Sequence, residues 1–427
     1  MQAVRREASI RVAYWAYLTA FAIVTLSAAL QRPFPGNFDE LMHASYVVHL
    51  AKTGRLALES IGIPIYDPNG WTLTGEFDYT PHQSGYYAFL AVIAKALLPL
   101  DASGVIVLRL VNTCLTVAGV AVSLRLGLLA GWGRPAWHAF ALIIILIPNL
   151  VLIAGAISND NLAILGGCVA ALGAYRALAG GRQSTAVLVM AVGFALAALA
   201  KAIAALQVGI MLAAVFAVVL ARGGTGLLRE PKVIVAGLIG FAAALPYLTM
   251  TMTYGSPVPL VPGLKDQLAT HAAALGWTSV SLDLVGYAMF FVKLLAAHWS
   301  MQAQFGHPIV LPGIGLALVG GVGLALAGYD VMRGAPSPMA VLVLCGAVAL
   351  ALTMALHFAF AYELYREFGD FSTVHPRYYF PLLFVIPAAC ARVIGTVPSG
   401  WARLTVAGIV ILLAFAPHLL QLARGLT

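Results

Sequence analysis

Residues 10–43 read IRVAYWAYLTAFAIVTLSAALQRPFPGNFDELMH. The run 10–30 carries a single charge, Arg11, and a bilayer core needs about 20 apolar residues to be crossed by a helix. Directly after it stand Pro33, Pro35, Gly36 and then Asp39, Glu40 and His43. A membrane span therefore delivers a polar, acidic segment at its exit. Arg5 and Arg6 precede the run, and Ser27-Ala28-Ala29 is similar to a signal-peptidase site. The apolar stretch exceeds the roughly 7–15 residues of a signal-peptide core, so the reading is an uncleaved first span.

The same logic extends along the chain. Hydrophobic residues make up 61% of the 427, charged residues 9%, and mean hydropathy is +0.93. Soluble domains carry about 25% charged residues, which excludes a water-soluble fold. Apolar windows place spans near 10–30, 104–126, 136–156, 161–179, 185–200, 203–221, 232–254, 309–329, 338–360, 378–396 and 402–422. The predicted fold is thus an all-α integral membrane protein with about 11 transmembrane helices. Two shorter apolar stretches, 84–99 and 284–299, each with a lysine (Lys95, Lys293), are expected as external helices lying along one face.

With both short stretches outside and the N-terminus inside, Arg5, Arg6, Arg11, Arg125, Arg134, Arg176, Arg182, Arg222, Arg229, Lys232, Arg333, Arg392 and Arg403 fall on the cytoplasmic side. Short loops rich in Arg and Lys are expected there. The net charge of +8 is then a topological signal, and no basic run with interleaved aromatics points to nucleic acid. Cys114, Cys168, Cys345 and Cys390 lie in apolar stretches without metal or disulfide spacing. Two modules are expected. Residues 1–254 hold the external loop 31–83, and 255–427 hold external loops 255–308 and 361–377, with no large soluble domain. Loop 31–83 is too rich in aromatic and aliphatic residues to be disordered, among them Tyr46, Trp71 and Tyr79.

Asn37 and Glu40 have capping-box spacing, which predicts a helix start with Asp39 and His43 one turn apart on one face. Acids at a membrane boundary are costly unless solvated, paired or catalytic. Asp160, in Ser158-Asn159-Asp160-Asn161, is read either as part of a helix cap or as a second site acid. Lys201 lies between two spans among apolar neighbours, as a snorkelling lysine or a functional cation. Arg377, in His375-Pro376-Arg377-Tyr378-Tyr379, opens a span where the helix dipole disfavours a cation, so an acidic or anionic partner is expected. His82, near Tyr86, is more in keeping with a turn.

One external face then holds carboxylates beside cations. Such a set suits departure of a phosphate, whose charge needs cationic stabilisation, with a carboxylate taking a proton from the attacking group. The alternative class is a transporter or lipid flippase, since ionisable residues in spans also mark substrate pathways. A third is a catalytically inert assembly subunit.

At four places the chain resembles the GT-C superfamily of polyprenyl-phosphate-sugar-dependent membrane glycosyltransferases, in particular bacterial protein mannosyltransferases and lipid A aminoarabinose transferases. They are Asn37-Phe38-Asp39-Glu40-Leu41-Met42-His43 with its continuation to Leu56, Pro81-His82-Gln83-Ser84-Gly85-Tyr86-Tyr87, Ser158-Asn159-Asp160, and Arg377-Tyr378-Tyr379-Phe380-Pro381. The resemblance implies that Asp39 or Glu40 is the base and that Asp160 is the acid of the second external loop. It also implies that Lys201 and Arg377, with Tyr378 and His375, hold the donor phosphate, and that external juxtamembrane helices are present. His43, His82 and Tyr86 would face substrate. The expected activity is inverting transfer of a sugar from a polyprenyl-phosphate donor to an envelope glycan, lipid or protein. The expected location is the outer, periplasmic or extracellular, side of a bacterial inner membrane. Related sequences often read Pro-Asp-Glu or His-Pro-Pro where this chain has Asn37-Phe38-Asp39-Glu40 and Thr80-Pro81-His82-Gln83. A divalent cation, Mg²⁺ or Mn²⁺, would require oxygens that converge, which spacing alone does not establish.

Overall fold

A computed structural model describes residues 2–36, 39–55, 62–80, 84–98, 101–223, 225–277, 281–299, 311–334, 336–371 and 373–425. Among them, nine helices are long and apolar enough to cross a membrane. These are α1 (Gln2–Gln31, apolar from Ser9), α4 (Ala102–Leu129), α7 (Asp160–Leu178), α8 (Gln183–Ala200), α9 (Ala202–Gly223), α10 (Pro231–Tyr254), α13 (Leu311–Met332), α14 (Pro338–Phe368) and α16 (Gly400–Gly425). Two bent pairs bring the number to eleven when each is counted as one span. The first joins α5 (Arg134–Ile145) to α6 (Pro148–Ala154) at 53°, and the second joins a 3-10 helix, Pro376–Leu382, to α15 (Val385–Thr396) at 62°.

Proline accounts for the first break. Pro148 opens α6 without an N–H to continue the ladder of α5. The Leu146 carbonyl exposed at the bend lies 2.9 Å from Nε2 of His418 in α16. Both predicted spans, 136–156 and 378–396, are therefore present as bent pairs, the first broken at its middle and the second near its start.

The loop between α1 and α4 is more ordered than an all-helical reading implies. It contains α2 (Glu40–Thr53), an antiparallel hairpin of β1 (Ile63–Tyr66) and β2 (Leu73–Asp78), and α3 (Ser84–Lys95). The ladder pairs Ile63 with Asp78, Pro64 with Phe77 and Tyr66 with Leu73. Its turn closes through the Trp71 N–H on the Asp67 carbonyl, 2.7 Å. The hairpin rests on α2, where the Tyr66 N–H donates to Ser45 Oγ at 3.0 Å and Lys52 Nζ donates to the Trp71 carbonyl at 2.7 Å. A further short helix, α11 (Pro262–Ala274), meets the hairpin at Tyr79, and its Lys265 pairs with Glu367 of α14. The short apolar helices α3 and α12 (Leu284–Trp299) complete this end of the bundle.

Close helix packing relies on missing side chains. A Cβ on Gly193 of α8 would overlap the backbone of Ala170 in α7, and one on Gly166 would overlap that of Ala197. Without water to drive apolar association, such small-residue contacts are what hold membrane helices together. α7 sits at the centre, enclosed along most of its length.

Candidate functional site

Four chain segments meet at one end of the bundle, and a buried ion pair fixes two of them. Arg109 of α4 donates through Nε and Nη2 to the two carboxylate oxygens of Glu40, at 2.8 and 2.7 Å. The same guanidinium donates to the carbonyls of Ala29 (3.2 Å), Arg32 (2.7 Å) and Pro33 (3.0 Å). The last carbonyls of a helix lack intrahelical partners and carry its negative pole, so a fork of five donors suits the end of α1. Glu40 also accepts the backbone N–H of Gly36 at 2.6 Å and of Ile157 at 3.0 Å. Its side chain is 0% exposed. One carboxylate thus ties the end of α1, the start of α2, α4 and the α6–α7 turn together.

Asp39, its neighbour, is set differently. α2 begins at Glu40 with Asp39 in the N-cap position, at φ 59°, and no side-chain cap bond is made. Aspartate tolerates this left-handed conformation better than most residues, though at some cost. The carboxylate turns instead to Arg377, whose Nη2 donates to Oδ2 at 2.8 Å. Half of the Asp39 side chain, 50%, stays exposed. The capping-box expectation is corrected here, because Glu40 reaches back to Gly36, while Asn37 lies outside the described residues.

Asp160 is the first residue of α7, and its side chain is 2% exposed. It makes an ion pair with Lys201 and lies 3.7 Å from Nε of Arg377. Neither Asn159 nor Asp160 caps α7 with its side chain. Asn159 donates to the Ala200 carbonyl at 3.2 Å, while Asn161 donates back to the carbonyls of Ile153, in the last turn of α6, and Ala156, just past it. Lys201 occupies the single-residue break between α8 and α9, extended at φ −164° and ψ 154°. Its ammonium stands 4.6 Å from the centroid of the Tyr378 ring, within cation–π range.

Arg377 rides on the 3-10 helix, which reaches α7 because Gly167 has no side chain. A Cβ there would overlap the Pro381 carbonyl. Gly167 stands seven residues after Asp160, close to two helical turns, so the face that admits Pro381 is the face that carries Asp160. Gln207 of α9 fixes the segment from another side, donating to the Tyr378 carbonyl at 2.9 Å.

Asp39, Asp160, Lys201, Arg377 and Tyr378 are thereby brought together. His375 packs edge-on against Tyr378 at 5.6 Å, and His43 meets the Tyr87 hydroxyl at 2.7 Å. Glu40, read as the alternative base, is instead enclosed by donors. Tyr86, expected to face substrate, is fully buried and donates to Asn112 Oδ1 at 2.7 Å, in the packing between α3 and α4. His82 lies outside the described residues. Arg109 is the residue that sequence reading passed over. Among the described residues no three His, Cys, Asp or Glu side chains are grouped to hold a metal ion.

The electrostatics follow from these contacts. Burial raises the Asp39 carboxyl, but Arg377 foremost, with His43 and His375, outweighs it and holds the group below the ordinary aspartate range. For Lys201 burial dominates and lowers its ammonium below the ordinary lysine value. Asp160 opposes that shift and Arg377 adds to it. The cluster therefore presents an accessible carboxylate beside two cations, each already paired with an acid.

The arrangement of spans has a counterpart among solved structures. The crystal structure of the Archaeoglobus fulgidus oligosaccharyltransferase in complex with zinc and sulfate superposes with a TM-score of 0.55 at 15% identity. The match covers 94% of this chain. The chain has a GT-C-like fold. This chain spans about half of that protein's length, 52%. No family model and no curated protein matches the sequence. Within the GT-C-like frame, the ion cluster sits at helix ends, with Asp39 at the start of α2, Asp160 at the start of α7 and Lys201 in the break between α8 and α9.

Proposed function

We propose that this chain is an inverting glycosyltransferase that takes a sugar from a polyprenyl-phosphate donor and places it on an envelope acceptor at the outer face of the membrane. The observation that carries the reading is the convergence of Asp39, Asp160, Lys201 and Arg377, from four separate parts of the chain, in one set of ion contacts. Asp39 is the base in this proposal. It is ionised, half-exposed and adjacent to a cation, whereas Asp160 and Glu40 are enclosed. Its carboxylate takes the proton from the acceptor group, the acceptor atom bonds to the sugar's anomeric carbon, and the bond from that carbon to the phosphate oxygen breaks. The electron pair leaves with the lipid phosphate, whose charge Arg377 and Lys201 stabilise. A nearby carboxylate also favours the oxocarbenium character of the sugar. Asp160 holds Lys201 and Arg377 in place, and Glu40 with Arg109 anchors the backbone that presents Asp39.

The acceptor class is left to lipid, polysaccharide or protein. A placement in a bacterial inner membrane, with the site facing the periplasm or exterior, agrees with the distribution of Arg and Lys. The transporter reading gains nothing from the geometry, since the charges gather at helix ends and in breaks between spans. Mass spectrometry of lipid-linked sugars in a strain lacking the protein tests the proposal. Accumulation of one polyprenyl-phosphate sugar together with loss of that sugar from an envelope component supports it. An unchanged inventory of both overturns it.

A further inference from the structure

The turn that carries Arg377 is gripped by one histidine of a neighbouring span. His357 lies in α14, buried, with Nε2 2.9 Å from the Thr373 carbonyl and Nδ1 2.7 Å from the Tyr379 hydroxyl. A carbonyl can only accept, so Nε2 carries the proton. In the neutral ring Nδ1 then accepts from the Tyr379 hydroxyl. Thr373 precedes Arg377 and Tyr379 follows it, so one ring spans the segment on both sides of the guanidinium. The ring also packs against Tyr378 at 5.4 Å, and Phe291 of α12 meets it edge-on at 5.5 Å.

A polar ring inside an apolar span is costly to bury unless its nitrogens are bonded. A phenyl ring of similar size would fill the same space. What a phenyl ring lacks is the pair of bonds that bracket Arg377. Gln207 from α9 and the Gly167 gap in α7 fix the later part of the segment, at Tyr378 and Pro381. Among the described residues, His357 is the side chain seen to hold Thr373, on the approach to Arg377.

We propose that His357 is a positioning residue for the anion-binding turn, fixing Arg377 and Tyr378 where a lipid phosphate is received. The proposal rests on the glycosyltransferase reading and names no contact of His357 with substrate.

The test uses the full chain in detergent, with farnesyl phosphate as probe and binding measured by calorimetry. Four variants are compared with wild type: His357→Phe, His357→Gln, Tyr379→Phe and Arg377→Gln. Loss of both bonds in His357→Phe is expected to weaken binding by about tenfold or more. Thermal stability without ligand should fall modestly as well, because the Thr373 carbonyl and the Tyr379 hydroxyl lose their partner, so affinity is compared below the melting range of each variant. His357→Gln, whose amide N–H can reach the Thr373 carbonyl, should recover part of the affinity, and Tyr379→Phe should fall between. Wild-type affinity in His357→Phe, with binding lost in Arg377→Gln, overturns the positioning role and leaves the functional reading standing. If wild type does not bind, or Arg377→Gln binds as well as wild type, the functional reading fails and this inference with it. Should His357→Phe not fold, unchanged affinity in both Tyr379→Phe and His357→Gln overturns the proposal.

Discussion

Nη2 of Arg377 lies 2.8 Å from Oδ2 of Asp39, across 338 positions of sequence. That contact joins the segment between α1 and α4 to the 3-10 helix that precedes α15. It also sets the ionisation of Asp39, because burial alone would push the carboxyl the other way.

The pH dependence of transfer should report both charged partners. In the proposed reaction Asp39 works as a carboxylate, and its proton affinity is depressed in the folded protein, so the acid limb should lie below the ordinary aspartate value of about 3.9. Removing the cation in Arg377→Gln takes away the largest influence that opposes burial, with His43 and His375 remaining, and the limb should move upward. The stability that the Asp39 contact contributes is present above the unfolded-state value and is lost as pH falls through the folded one. In the same proposal Lys201 works as an ammonium with depressed proton affinity, so an alkaline limb should appear below the ordinary lysine value of about 10.4. Lys201→Arg should move that limb upward. Rate profiles of the three proteins check both shifts, and identical limbs would contradict them.

Arg109→Met should cost stability more than chemistry. It leaves the enclosed Glu40 carboxylate without its cation and the final carbonyls of α1 without their donor, a loss of about 3–5 kcal/mol. A marked fall in the melting temperature of detergent-solubilised protein is expected. An unchanged melting temperature would show that the clasp is not what holds the α1–α2 junction.

Gly167→Ala tests the close approach of the 3-10 helix to α7. The new methyl meets the Pro381 carbonyl, so the segment carrying Arg377 must retreat. A loss of about 1–3 kcal/mol in stability and weaker binding of donor should follow. Gly237→Ala in α10, where a Cβ meets open space, serves as the control and should be neutral in both measurements.

Much of this architecture is legible in the sequence because the membrane imposes a single strong rule. Eleven apolar windows of spanning length become nine helices and two bent pairs among the described residues, and the two short windows become α3 and α12. The bends are less legible, since hydropathy averages over them, although Pro148 and Pro381 stand next to the two places. The hairpin escapes because β1 is only four residues long and β2 is exposed on both faces until Asp78, leaving no alternating pattern.

The charged cluster was readable as a set of residue types at loop positions, but not as a geometry. Arg109 shows what a closer reading could find. Together with Asn112, Thr113 and Thr116 it forms a polar stripe at helical spacing inside an apolar span. Each of the four is matched to a partner, Glu40 for Arg109, Tyr86 and Asn161 for Asn112, the Ala154 carbonyl for Thr113 and Asn161 for Thr116. His357 offers the same signal, a lone histidine in α14, whose partners only the fold discloses.

The most direct test is the single-turnover rate of sugar transfer from a polyprenyl-phosphate donor by Asp39→Asn, alongside donor affinity. With Asp39 as the base, the rate falls by about a hundredfold to ten-thousandfold while the protein remains folded and still binds donor. A rate within a few fold of wild type would contradict the account.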